Sequence, residues 1–363
     1  MCCFEPKMKT GTERTPSFRV SLDRLLHRKT VRGFADRIGA FEDLAHPVQE
    51  ALRPYLESPS APAGEALEVI LTAPAQSVVG RVTLRGWRRP GHLPWGITPN
   101  RVLVLTGQRL LIASSPYVPE SPEEERTSRP EYASELAEVR ALPEVCEIPL
   151  RQVLWLEAGT ILLISWLELA WVHQGEIERI RIDFNTVGRD LFADLAARIR
   201  LAILAAEGVS LSGNAHGLER LEALPFKFRR AIPDHVLLRD EQVLGALFRP
   251  SQWATYLAIF RRHVTPRLAV LRTDAHLRVA GEHLTSVEDS YGLIAQFCPL
   301  PRVKNVTLEE RDGRPELRIA VGLDGVEDVL RVRFSVGTVV ELESIAAQGG
   351  VCMPTPAGDP APA

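Results

Sequence analysis

The densest set of chemically capable side chains lies at 85–95 (RGWRRPGHLPW). Arg85, Arg88 and Arg89 flank Trp87 and lead to Trp95, and the stretch holds no acidic residue. Guanidinium groups pair with phosphate or carboxylate through a planar fork, and indole suits the boundary between a polar and an apolar surface. Pro90 and Pro94 stiffen the backbone and lower the ordering cost of a contact. A looser set follows at Arg249, Trp253, Arg261, Arg262 and His263. The candidate binding residues are therefore Arg85, Trp87, Arg88, Arg89, Trp95, Arg249, Trp253, Arg261 and Arg262. The competing reading is structural: each tryptophan packs in a barrel mouth and the arginine stems cover it.

Other chemistries find little in the sequence. The histidines are dispersed; His173, His276 and His283 show no metal-ligand spacing, and no His-Glu-x-x-His occurs. There is no Gly-x-Ser-x-Gly, no P-loop and no Gly-x-Gly-x-x-Gly. Asp183 and the run Asp289-Ser-Tyr291 lack a partnered nucleophile. The sequence thus predicts no catalytic residue, no metal site and no cofactor. Cys2, Cys3, Cys146, Cys298 and Cys352 are odd in number and include no Cys-x-x-Cys, which points to reduced thiols in a cytoplasm. A net charge of -3 gives no global pull toward nucleic acid or anionic membrane. Nucleic acid is not expected as a partner, and contact with anionic lipid would need a local patch. The longest apolar run, 161–172, contains Glu168 and is too short to span a bilayer.

These residues must be positioned by sheets. The stretch 101–113 (RVLVLTGQRLLIA) is apolar, rich in β-formers and broken by one polar turn, the pattern of a hairpin. Residues 270–280 (VLRTDAHLRVA) repeat it, with Thr273 on Thr106, Leu277 on Leu110 and Ala280 on Ala113. Further short strands are expected around each hairpin. The alternation at 177–184 marks a half-buried strand, and Leu191, Leu195 and Ile199 lie on one stripe of a closing helix. Residues 338–347 read as a shorter closing helix. Gln242–Gly245 is matched to Ser77–Gly80, Trp253 to Trp87, and the turns Asp312-Gly313 and Asp324-Gly325 to Ala158-Gly159 and Gln174-Gly175. A helical stripe through Phe34, Ile38 and Phe41 is expected to stop at Pro47. Its basic side (Arg24, Lys29, Arg32, Arg37) would suit a membrane surface, but Asp23, Asp36 and Glu42 dilute that side, so docking against the first barrel is the expectation.

The order of these pieces resembles bacterial pleckstrin-homology-like (PH-like) domains in tandem. The carriers are Leu103/Thr106/Leu110 with Val270/Thr273/Leu277, the Pro-Leu-x-x-Val starts at Pro149 and Pro299, and the Phe-to-Gly leads at Phe184 and Phe334. The resemblance implies an α+β fold of two bent β-barrels, each closed by a C-terminal helix, behind a helical N-terminal segment. The expected division is 1–17 disordered, 18–57 helical, 58–65 linker, 66–207 first domain with a long 115–143 insertion, 208–230 linker, 231–348 second domain and 349–363 disordered tail. It also implies a non-catalytic binding or scaffold protein recognising a protein partner or itself. Peripheral attachment to anionic lipid through the Arg/Trp loops is the alternative. An enzyme would need acid–base residues brought together between the domains.

Overall fold

The computed structural model describes residues 33–57, 66–78, 81–83, 86–88, 96–115, 142–161, 164–211, 217–256, 260–282, 292–311 and 314–334. It is an α+β chain of mainly antiparallel sheets with three α-helices among the described residues. The elements of the first half are β1 (Asp36–Arg37), α1 (His46–Leu56), β2 (Leu67–Ala73), the short strands β3 (Ser77–Val78), β4 (Arg81–Thr83), β5 (Gly86–Arg88) and β6 (Gly96–Ile97), then β7 (Asn100–Thr106), β8 (Arg109–Ser115), β9 (Glu144–Pro149), β10 (Val153–Ile161), β11 (Ile164–His173), β12 (Glu176–Asn185) and α2 (Arg189–Ala206). The second half holds α3 (Phe226–His235), β13 (Val243–Arg249), β14 (Gln252–Tyr256), β15 (Phe260–Thr265), β16 (Leu268–Thr273), β17 (His276–Gly281), β18 (Leu293–Pro299), β19 (Val303–Arg311), β20 (Arg314–Leu323) and β21 (Val326–Arg333).

The two halves match pair for pair. In the β7–β8 hairpin Leu105 faces Leu110 and Val102 faces Ala113; in β16–β17 Arg272 faces Leu277 and Ala269 faces Ala280. Both turns are tied by a threonine. The Thr106 hydroxyl accepts from the Arg109 amide and donates to its carbonyl, and the Thr273 hydroxyl likewise accepts from the His276 amide. The hairpins β11–β12 and β20–β21 turn on Gln174-Gly175 and Asp324-Gly325, all four residues at positive φ. Each half is thus a four-stranded meander followed by a three-stranded one.

The sheets stay open among the described residues; the expected barrels do not close. Instead the halves share one sheet, in the order β12-β11-β10-β18-β17-β16-β13. β10 of the first half pairs with β18 of the second, Leu156 opposite Phe297 and Gly159 opposite Ile294. The alternation of side chains along these strands sends the two cores to opposite faces. On one face Leu156, Leu167 and Ile182 meet Leu103, Leu110 and Ile112 of the first sheet and Leu195 and Ile199 of α2. On the other, Val270, Leu277 and Val279 meet Leu317, Ile319 and Leu330. Burying each such side chain contributes about 1.5–3 kcal/mol.

Several expectations need correction. Residues 34–40 form no helix, and Phe41–Asp43 only one 3-10 turn: β1 adds to the edge of β2, with Asp36 opposite Thr72. Gly33 and Gly39 disfavour a helix there, and β2 offers unpaired backbone groups. Pro47 opens α1 instead of ending a helix, as a residue without an N–H suits the first turn. Ala158-Gly159 lies inside β10, where a Cβ on Gly159 would stand 2.1 Å from the Trp166 ring. Here glycine serves a close approach, not a turn. Gln242–Gly245 does not correspond to Ser77–Gly80; Val243 pairs with Thr273 as Leu67 pairs with Thr106. Gln252 faces Thr265 just as Gln76 bonds Thr98, so Trp253 stands where Ser77 does and Trp87 has no such counterpart. The stretch 208–230 holds a short 3-10 turn, Leu218–Leu221, and the start of α3, whose Phe228 and Ile232 enter the core. Residues 1–32, most of 115–143, the closing helix at 338–347 and the tail 349–363 lie outside the described residues.

Candidate functional site at the junction of the two halves

Helix α2 is amphipathic in an unusual way. Leu195 and Ile199 seal the first core, while Arg200, the next residue, points across the shared sheet and is 3% exposed. Its guanidinium lies 4.2 Å from the Phe297 ring centroid, donates from Nη1 to the Val236 carbonyl at 2.8 Å, and from Nε to its own helix at Ala196. Val236 caps the C-terminus of α3, where exposed carbonyls favour a cation. From the sheet side Arg278 reaches the same carbonyl and forms an ion pair with Glu241.

Glu241 gathers the rest. Oε1 accepts from Thr273 and meets His276 Nδ1 at 2.9 Å; Oε2 accepts from the Leu238 amide at 2.9 Å. Glu241, His276 and Arg278 are fully buried. Burial, reinforced by Arg200, holds the His276 pKa well below the usual histidine range, against an opposing pull from Asp274. His276 is therefore neutral, with Nδ1–H donating to Glu241, and Nε2 is left without a partner. Burial, and then Arg200, also lower Arg278. Glu241 balances Arg278, so Arg200 carries the uncompensated charge: its partners are two backbone carbonyls and a ring. Burial pulls its pKa down to about 9, still charged at neutral pH.

Beside Arg200 lies a cleft of about 240 Å³ between α2, α3 and the β10–β18 seam. Phe184, Phe192, Leu293 and Phe297 give it apolar walls. Its polar lining holds the cations Arg189, Arg200 and Lys227, with His235 and Thr160, and no carboxylate among the lining residues. Lys227 bonds Glu282 and the Gly292 carbonyl, both at 3.1 Å. A side chain on Gly292 would stand 2.6 Å from the Thr160 carbonyl, so only glycine lets β18 approach β10 here. The junction is braced elsewhere as well. Arg302 Nη1 pairs with Glu207 at the end of α2 at 2.7 Å, and Asp328 accepts from Trp155 and Arg179 across the other face.

The sequence-predicted residues fall elsewhere. Arg249 is buried: it donates to the Pro266 carbonyl and lies over Phe334, and burial lowers its pKa to about 10. It supports the second core and offers no contact surface. Trp87 and Arg88 sit on β5 of the β4–β5 hairpin, Trp253 on β14, and Arg261 and Arg262 on β15. Their side chains, and Arg85, Arg89 and Trp95 altogether, lie outside the described residues. Both hairpins are inserted at one point of the plan, between the first and second strands of the meander. Sequence reasoning missed Arg200, Lys227 and the Glu241 cluster. The available signal was an arginine inside the apolar stripe of α2. No group of His, Cys, Asp and Glu suited to a metal ion occurs among the described residues, and no described helix is long and apolar enough to cross a membrane.

No protein-family model matches the chain, and a search of curated proteins finds no significant relative.

Proposed function

We propose that the chain is a non-catalytic binding protein of two PH-like units, acting in the cytoplasm as a scaffold for a protein partner. The observation that carries this reading is the duplicated four-plus-three meander fused through β10 and β18, which joins two similar units in one shared sheet. The acid–base cluster that an enzyme would need between the units exists as Glu241, His276 and Arg278, but all three are fully buried and none lines the cleft. In this reading the cluster is structural. Partner capture with the full chain, followed by mass spectrometry and reconstitution with purified components, tests it. A partner that binds wild type in micromolar range or tighter supports the scaffold, and the absence of any reconstituted complex removes it.

A second reading is peripheral attachment to anionic lipid. It is favoured by the hairpins β4–β5 and β14–β15, each inserted between the first and second meander strands of its unit, which carry Trp87 with Arg88 and Trp253 with Arg261 and Arg262. Changing Arg85, Arg88 and Arg89 together to Ser tests it in vesicle sedimentation. Binding that falls with the triple change and with added salt supports lipid contact, since exposed charges are screened within about 10 Å at 0.1 M salt.

A further inference from the structure

We infer that the cleft between α2 and α3 binds a small amphiphile with one anionic head, a carboxylate or phosphate monoester, on a short apolar body. This goes beyond the scaffold reading and stands independently of it. The argument begins with charge. Arg200 is buried, its hydrogen bonds go to neutral carbonyls, and the nearby carboxylate of Glu241 is taken up by Arg278, Thr273 and the Leu238 amide. A buried cation without a counter-ion is costly, and an anion brought next to it removes that cost. Arg200 is also a wall of the cleft, and Lys227, Arg189 and His235 share the lining with no carboxylate. With Nε on Ala196 and Nη1 on Val236, Nη2 of the guanidinium stacked on Phe297 is the donor left for an oxyanion.

The rest of the cleft sets the body of the ligand. Phe184, Phe192 and Leu293 are apolar, and the volume of about 240 Å³ holds a chain or ring of modest size, not a two-tailed lipid. Position also favours a ligand that matters to the assembly. The cleft is roofed by α2 of one half and α3 of the other, so occupancy ties the two halves together.

The test uses the full chain and four probes in calorimetric titration: octyl phosphate, octanoate, octanol and inorganic phosphate. Octyl phosphate or octanoate should bind saturably at one site, at least tenfold tighter than octanol and than inorganic phosphate. Arg200→Met should abolish the preference for the anion over octanol. Should that variant fail to fold, Ala193→Trp, which fills the cleft from the half-buried face of α2, decides the matter: the fold persists and anion binding falls at least tenfold. Tighter binding of octyl phosphate with octanoate inactive assigns a phosphate head; the reverse assigns a carboxylate. Equal binding of octanol and both anions, no saturable binding, or anion binding unchanged in Ala193→Trp would each overturn the proposal. The partner-capture result is unaffected by any of these outcomes.

Discussion

Leu111 and Arg278 occupy the same position on the third residue of the second hairpin strand, one in each half, and both are buried. Around Leu111 the outer face of the sheet is apolar: Ile70, Val104 and Ala113 join it under Leu52 of α1. Around Arg278 the same outer face carries His276 and is covered by α2 and α3 with Glu241 between them. The helices α1 and α3 correspond, since each precedes the first strand of its meander. Each is also held from the hairpin at its C-terminal end, by Arg109 on the Tyr55 carbonyl at 2.9 Å and by Arg278 on Val236. Equal topology thus tolerates opposite chemistry. What decides is whether the covering layer brings partners for the charge.

The comparison breaks most sharply at Glu241. Glu241→Ala leaves Arg278 buried without its counter-ion beside an already uncompensated Arg200, and should cost roughly 3–5 kcal/mol. The double change Glu241→Leu with Arg278→Leu imitates the first half and should recover most of that loss. Urea unfolding of the single and double variants checks it; equal destabilisation would show that packing, not charge, sets the difference.

Helix α2 serves both halves, and its apolar side can be tested apart from Arg200. Leu195 is fully buried in the first core, so Leu195→Ala should cost about 2–5 kcal/mol. The same unfolding assay reads it, and a loss under 1 kcal/mol would make the helix a surface element.

The paired threonines sharpen the comparison at smaller scale. Thr106→Val removes the turn bonds, an effect of about 1 kcal/mol. Thr273→Val removes the equivalent acceptor for the His276 amide and with it the hydroxyl donor to buried Glu241, and should cost about 1–3 kcal/mol. Equal losses would mean that Glu241 does not depend on the hydroxyl.

The repeat was legible because it rests on local pattern. The hairpin spacing around Thr106 and Thr273 and the turns at Gln174-Gly175 and Asp324-Gly325 are written in adjacent residues. The cleft was not, for a physical reason. In 276–281 (HLRVAG) the alternation places His276 and Arg278 opposite Leu277 and Val279, which reads as a face toward water. That face is buried because α2 and α3, both distant in the chain, fold over it with Glu241 between them. The fusion of β10 with β18 is equally non-local, since neither strand's composition names its neighbour. The matches of Gln242–Gly245 to Ser77–Gly80 and of Trp253 to Trp87 failed because shared residue types were weighed over strand register.

The smallest effect separates the halves by pH. At the position of His276 the first half has Arg109, which does not titrate near neutrality. His276 is held neutral by burial and by Arg200, and it faces Glu241, Thr273 and Arg278, with Asp274 at the hairpin turn. Its folded pKa is depressed, so below about 6.5 the unfolded chain binds a proton that the folded chain refuses. Stability contributed by the neutral form is present above that pH and lost as pH falls, at no more than about 1.4 kcal/mol per unit. From pH 7.5 to 6 the loss should be about 0.8 kcal/mol. Asn in place of His276 keeps a donor for Glu241 and cannot titrate. The difference in unfolding free energy between wild type and His276→Asn should therefore shrink by that amount over the interval. A difference that instead grows as pH falls would show that His276 takes up a proton in the folded chain and that the second half holds an ion pair there.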